Sequence, residues 1–302
     1  LFQYKHFPWE NNSIGEGDVI VPPFKPLSVD REEETVWALL TRYRTADGFW
    51  SEIKAMGENI LADPVRIQFN QGNYRLKQRR SSFTHVSDTT VEKQTVLACE
   101  NAPFEVLVKQ AYDYDGMCKV TLRIEPAGDV SFTSGRLVIP LKPDVAQLMH
   151  ICTDQIRSNP STYVPAEKGV VWESADMMRT KIWGSFVPYV WLGNIYRGLC
   201  WFADSDKGWQ TDDTKSAMQI RRTDNSVDLE VNLINKDVSL EKPVEMVMGF
   251  QATPVKPRMA QWRRLCHRWR PSIEHAVKFS VLAGLQTVGA KRPQDRWPAD
   301  HD

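Results

Sequence analysis

Short strand-like runs separated by turn residues fill most of the chain, and where apolar and polar residues alternate, as in Val65 to Phe69, the period of two marks a strand with one buried face. Such runs are Val36 to Tyr43, Val65 to Phe69, Thr90 to Ala98, Phe104 to Ala111 and Cys118 to Ile124. Val130 to Pro140, Val145 to Cys152 and Gly169 to Ser174 are further strand-like runs, and Phe186 to Leu192 and Arg197 to Ala203 are two apolar strands flanking a Gly193-Asn194 turn. Gln219 to Thr223 and Val227 to Ile234 flank Asp224-Asn-Ser226, and Val244 to Ala252 comes last. Ala46-Asp-Gly48, Asn70-Gln-Gly-Asn73 and Tyr112-Asp-Tyr-Asp-Gly116 supply residues suited to tight turns. With no helical period before residue 258, roughly a dozen short strands at this spacing predict an all-β fold, a large antiparallel β-sandwich.

The two ends break the pattern. Pro22, Pro23 and Pro26 exclude a helix near the start and allow only edge-strand or polyproline geometry, which predicts a strap laid across a sheet. Past Pro257, Trp262, Leu265, Cys266 and Trp269 fall at i, i+3, i+4 and i+7, giving one apolar stripe on a helix that Pro271 stops. The neighbouring Arg263, Arg264, Arg268 and Arg270 leave a basic binding helix open, although a helix packed on the sandwich or on another domain fits a neutral chain better. The expected organisation is therefore a β-sandwich domain over 1–257 and a helical or irregular linker over 258–302. That linker is expected to lead toward a further domain.

Charge narrows the partners. The chain has 302 residues, 38 of them basic and 38 acidic, so no excess charge calls for nucleic acid or an anionic membrane. No apolar run reaches the roughly 20 residues that span a bilayer. Leu1 in place of a methionine suggests a cut, with any targeting signal lost before it. Cys99, Cys118, Cys152, Cys200 and Cys266 are odd in number and mostly set among apolar residues, which suggests buried thiols, a lone disulfide being the alternative. No Cys/His spacing suits zinc, and no cofactor or metal is expected.

The 11 Trp, 12 Phe and 8 Tyr suit either a large core or a surface that stacks on sugars. The sharpest candidate stretch is Gly198-Leu-Cys-Trp-Phe-Ala-Asp-Ser-Asp-Lys-Gly-Trp209, an apolar strand running into an acidic turn. Asp204 and Asp206, two apart, could converge as a glycosidase pair. Asp caps with Gly at positive φ are, however, ordinary turn chemistry, and that reading is preferred to hydrogen bonding with a sugar or another domain. Trp191, Trp201 and Trp209 are divided between core and contact. Trp201 shares a face with Leu199, whereas Trp209 comes after a polar turn and is expected to be half exposed, the best single stacking platform. The six histidines form no Ser/His/Asp or metal spacing, and no nucleophile elbow or phosphate loop is present. No catalytic residue is assigned.

Phe7-Pro-Trp9 with Ile14-Gly15, Pro23-Phe-Lys-Pro-Leu27, the Gly198 to Trp209 stretch and Gly249-Phe-Gln-Ala-Thr-Pro-Val-Lys-Pro257 occur in an order that resembles the N-terminal β-sandwich region of bacterial glycoside hydrolases related to family 123. The resemblance runs over about residues 4 to 257. It implies a non-catalytic domain before a (β/α)-barrel of the same polypeptide. In family 123 the barrel is implied to act as an exo-β-N-acetylgalactosaminidase, with an Asp-Glu pair assisting attack by the substrate's acetamido group. The stretch after Pro257 is far short of the roughly 200 residues a barrel needs, and it holds no adjacent Asp-Glu pair. The resemblance thus implies support of the barrel, a contribution to glycan binding, and export to the periplasm or outside the cell. An independent sugar-binding module using surface tryptophans, or a purely structural scaffold, remain as alternatives.

Overall fold

In the computed structural model the chain divides into two units, Leu1–Lys256 and Pro257–Asp302. The structure describes residues 7, 10, 17, 19–153, 159–175 and 184–257. The helix expected around Trp262 to Trp269, and with it Cys266, lies outside the described residues, as do most of residues 1–18.

The first unit is built from antiparallel strands. β1 (Ser28–Asp30), β2 (Thr35–Trp37), β3 (Thr41–Ala46), β4 (Phe49–Ala55) and β5 (Glu58–Asn59) form a five-stranded meander. Then come β6 (Arg66–Phe69), β7 (Leu76–Val86), β8 (Thr90–Cys99), β9 (Phe104–Asp113), β10 (Met117–Pro126), β11 (Val130–Phe132) and β12 (Gly135–Leu141). β13 (Leu148–Cys152), β14 (Ser161–Tyr163), β15 (Gly169–Glu173), β16 (Tyr189–Gly193) and β17 (Gly198–Phe202) are next. The last are β18 (Met218–Arg222), β19 (Val227–Ile234), β20 (Val238–Leu240) and β21 (Val244–Thr253). A nine-stranded sheet runs β14-β13-β16-β17-β21-β10-β9-β8-β7, a second five-stranded sheet runs β15-β18-β19-β12-β6, and β11 pairs with β20.

The predicted turns form for the reasons their residues suggest. Asp47 and Gly48 both take positive φ, 49° and 84°, the primed geometry that suits a two-residue hairpin between β3 and β4. Asp113 Oδ1 accepts from the Tyr114 N–H and Asp115 Oδ1 from the Met117 N–H, so both aspartates serve the β9–β10 turn. The run Val36 to Tyr43 is not one strand but two, β2 and β3, paired with Thr35 opposite Arg44. Val130 to Pro140 likewise divides into β11 and β12.

A single apolar cluster fills the space between the sheets. Trp50 of β4 meets Phe250 of β21 edge-on at 4.7 Å, and Phe69 of β6 meets Phe104 of β9 at 5.6 Å. The nine-stranded sheet thus packs against the meander in one region and the second five-stranded sheet in another, as a sandwich requires. Lys93 of β8, its side chain 1% exposed, pairs with Glu34 at 3.2 Å, and burial pulls its ammonium pKa down. Cys118 and Cys200 are buried thiols, but Cys99 and Cys152 are only partly buried. All four are free, so no disulfide joins them.

Candidate glycan-contact site

The Gly198 to Trp209 stretch begins as β17, in the middle of the nine-stranded sheet between β16 and β21. Val190, Trp201 and Phe250 lie in register across the three strands, and Trp201 is fully buried. Asp204 to Lys207 then emerge into solvent. The turn is closed by the backbone, the Trp209 N–H donating to the Asp206 carbonyl at 2.9 Å, rather than by the expected carboxylate caps. Gly208 takes φ +86°, and a Cβ there would collide with the Glu245 carbonyl of β21.

Trp209 departs from expectation. It is 7% exposed, with its ring edge-on to Phe186 at 5.6 Å and to Trp201 at 6.1 Å. The cause is the path of the next residue. The Gln210 N–H donates to the Leu233 carbonyl at 2.8 Å and Gln210 bridges to Ile234 in parallel, so the chain crosses here from the nine-stranded sheet to β19. That crossing draws Trp209 beneath the core, where neither it nor Trp201 offers a ring face for stacking. Trp191, opposite Cys200 in the register, lies on the other face. Its Nε1–H donates to Thr253 Oγ1 at 3.1 Å, and its ring covers the facing Gly193 and Gly198, where a Cβ would collide with it. The structure therefore joins Trp201 with Trp209, leaves Trp191 apart, and sets Asp204 and Asp206 on the open surface.

His150 and Cys152 of β13 form a constellation that sequence spacing did not reveal. His150 Nδ1 is 2.5 Å from Ser161 Oγ, and its Nε2 is 3.9 Å from Cys152 Sγ. Burial raises the thiol pKa, the reverse of what an activated nucleophile needs. Among the described residues no group of three or more His, Cys, Asp or Glu could hold a metal ion.

A more developed polar site lies on the outer face of the second five-stranded sheet. In β19, Val227, Leu229, Val231 and Leu233 enter the core, and the alternate Asp228, Glu230 and Asn232 share the opposite face. Those three polar residues are nevertheless buried at 6%, 4% and 7% exposure, because β19 lies between β18 and β12, whose long side chains reach over it. Arg221 Nε donates to Glu230 Oε1 at 3.0 Å, and Arg136 Nη1 pairs with Oε2 at 3.0 Å. Arg136 Nε also donates to Asn232 Oδ1 at 2.9 Å, and Asn232 Nδ2 donates to the Ser216 carbonyl at 2.9 Å. Ser216 Oγ and Gln219 Nε2 both donate to Glu173 Oε2, at 2.8 and 3.2 Å.

This network borders an open cleft of about 500 Å³, lined by Ser134, Arg136, Glu173, Gln219, Asn232 and Asn235 among others. None of its lining residues is aromatic. Sequence reasoning missed the cleft, although Val227-Asp-Leu-Glu-Val-Asn-Leu-Ile234, with three polar residues at period two inside an apolar strand, was the available signal.

Beside the network, burial raises the Asp228 carboxyl pKa, against the lowering effect of the Ser226 hydroxyl and Arg66. A carboxyl that holds its proton more tightly when folded gives stability that declines as pH rises from its ordinary value of 3.8 through the native one. Asp228→Asn should match the parent in acid, where both are neutral, and exceed it in stability at pH 7. Urea midpoints at both pH values check this, and a variant less stable at pH 7 would contradict it.

Comparison with known proteins gives the family. The family model described as glycoside hydrolase 123, third domain, matches residues 43–231. The sequence resemblance named the same family but its N-terminal region. No curated protein matches the chain. Among solved structures, a GH36 α-galactosidase AgaA variant from Geobacillus stearothermophilus in complex with stachyose is 11% identical, with TM-score 0.48 over 72% of this chain and 40% of that one. The α-N-acetylgalactosaminidase NagBb from Bifidobacterium bifidum, in its GalNAc complex, is 11% identical, with TM-score 0.46 over 72% of this chain and 35% of that one. The galactosidase domain of AgaSK, an α-galactosidase-sucrose kinase, is 10% identical, with TM-score 0.46 over 75% and 41%. This chain thus spans roughly two fifths of those proteins or less, and the assignment rests on the family model. Its match takes in well over half of the residues, among them β17, the acidic turn and most of the polar face of β19, and the chain belongs to the family of glycoside hydrolase 123 third domains.

Proposed function

We propose that this is a non-catalytic β-sandwich domain of a carbohydrate-active glycoside hydrolase, which supports a (β/α)-barrel of the same polypeptide and takes part in glycan binding. The observation that carries the reading is the family-model match over residues 43–231. The position of the carboxylates supports it. Asp204 and Asp206 are exposed on a turn, and Glu230 is held between two arginines, so neither place offers the free acid and base that glycoside hydrolysis requires. The burial of Trp201 and Trp209 moves the glycan contribution away from aromatic stacking and toward hydrogen bonding. A role in glycan breakdown also suits export to the periplasm or the exterior, which cell fractionation tests.

The purified chain should give no turnover of aryl β-N-acetylgalactosaminide or other aryl glycosides above buffer. Turnover that Asp206→Asn abolishes would overturn the proposal.

A further inference from the structure

We infer that the cleft beside β12, β15, β18 and β19 is a subsite for one neutral pyranose, gripped by its hydroxyl edge rather than stacked on its face. The inference rests on the accessory-domain reading and deepens it by naming the place and the ligand chemistry.

The lining groups decide the class of ligand. Arg136 and Arg221 share Glu230, each at 3.0 Å, and Lys215 lies 4.0 Å from Asp212, so with Glu173 three cations stand against three carboxylates and the cleft is neutral overall. Glu173 faces no cation among the described residues, its Oε2 taking only the neutral donors Ser216 and Gln219. An anionic sugar would therefore find no net positive charge to pair with, and Glu173 would repel it at close range. A neutral sugar offers hydroxyls, each both donor and acceptor, which suit a mixed lining of carboxylate, guanidinium, amide and hydroxyl groups.

Size and rigidity agree with this. About 500 Å³ lies within the usual span of small-molecule sites, about 300–1,000 Å³, and accommodates a single ring with water. The polar groups are held in place before any ligand arrives, because Arg136, Asn232, Ser216 and Glu173 are tied to one another across the sheet. Binding then orders few side chains, which limits its entropic cost. With no aromatic ring in the lining, affinity comes from hydrogen bonds that replace those made to water, so it is weak and depends on hydroxyl configuration.

The test is an amide-resolved NMR titration of the full chain with galactose, N-acetylgalactosamine, glucose and mannose, each at high millimolar concentration, with glucuronate as the charged control. The expected result is saturable shifts for at least one neutral sugar, centred on Arg136, Glu173, Ser216 and Asn232, with glucuronate binding at least tenfold more weakly. Glu173→Gln should weaken binding at least tenfold. Thr214→Trp, which fills the cleft from an exposed position, should abolish shifts while leaving the thermal midpoint near that of the parent. Absence of saturable shifts, shifts centred on another surface, or equal binding of glucuronate would overturn the inference. These outcomes bear on the glycan contribution alone and leave the non-catalytic, barrel-supporting role untouched, whereas hydrolysis of an aryl glycoside would overturn that role and leave the cleft untouched.

Discussion

Replacing Trp50 with alanine is expected to cost about 3–5 kcal/mol, the range for deleting a large aromatic from a core, and to be among the most destabilising single changes in the domain. Trp50 is fully buried on β4, yet its contacts belong to the opposite layer. Its Nε1–H donates to Tyr112 Oη of β9 at 2.9 Å, and its ring meets Phe250 of β21 at 4.7 Å and 70°. Alanine would leave a cavity between meander and nine-stranded sheet and a buried tyrosine hydroxyl without its donor. Trp50→Phe keeps most of the apolar contact and loses only the N–H, so it should cost about 1–2 kcal/mol. Urea unfolding of both variants, with the slope unchanged from the parent, provides the comparison. Equal losses for phenylalanine and alanine would mean that the hydrogen bond, and not the ring, joins the layers.

Gly208→Ala should cost about 2–5 kcal/mol, from two sources that can be separated. The residue holds φ +86°, a conformation that costs an L-residue about 1–2 kcal/mol. The added Cβ would also run into the Glu245 carbonyl, which belongs to backbone and cannot swing aside. Forcing extra volume into such packing adds about 1–3 kcal/mol. Gly57→Ala serves as the control, since Gly57 holds φ +84° with nothing within 4 Å of the new carbon. Only the conformational part should appear there. Similar losses at both sites would contradict the tight seating of the acidic turn on β21. A displaced turn would also move Gln210, whose carbonyl accepts from the Asn235 N–H at 3.1 Å, and so disturb one wall of the cleft.

The strands that could be read directly share one property, a strict contrast between their two faces. β9, β10, β18 and β21 alternate because one face meets the core, and Asp113 to Gly116 and Asp224 to Ser226 mark ends among them with residues chosen by turn geometry. β7 is not legible in this way because it is an edge strand. Leu76-Lys-Gln-Arg-Arg-Ser-Ser-Phe-Thr-His-Val86 is mostly exposed, and its charged residues suit a free edge better than a buried stripe. β4 is hidden because Phe49-Trp50 opens it with two adjacent buried aromatics, which breaks strict alternation.

The candidate site was less legible for a related reason. Periodicity assigns a residue to a face but does not tell what will cover that face. Asp228, Glu230 and Asn232 read as the solvent side of β19, and arginines from β18 and β12 close over them. Trp209 reads as the end of a surface turn, and the crossing of Gln210 to a different sheet buries it.

The chain's local chemistry was thus sufficient for the all-β class, the positions of several hairpins, the turn role of Asp113 and Asp115 and, through ordered motifs, the hydrolase family. Those properties depend on neighbours along the chain, which a linear reading contains. Which sheet each strand joins, which tryptophans lose their faces to the core, and where a polar cleft opens depend on pairings between residues far apart in sequence. In Gly198 to Trp209 the two meet: a turn specified by its own residues, and a tryptophan whose burial is imposed by β19, more than twenty residues further on.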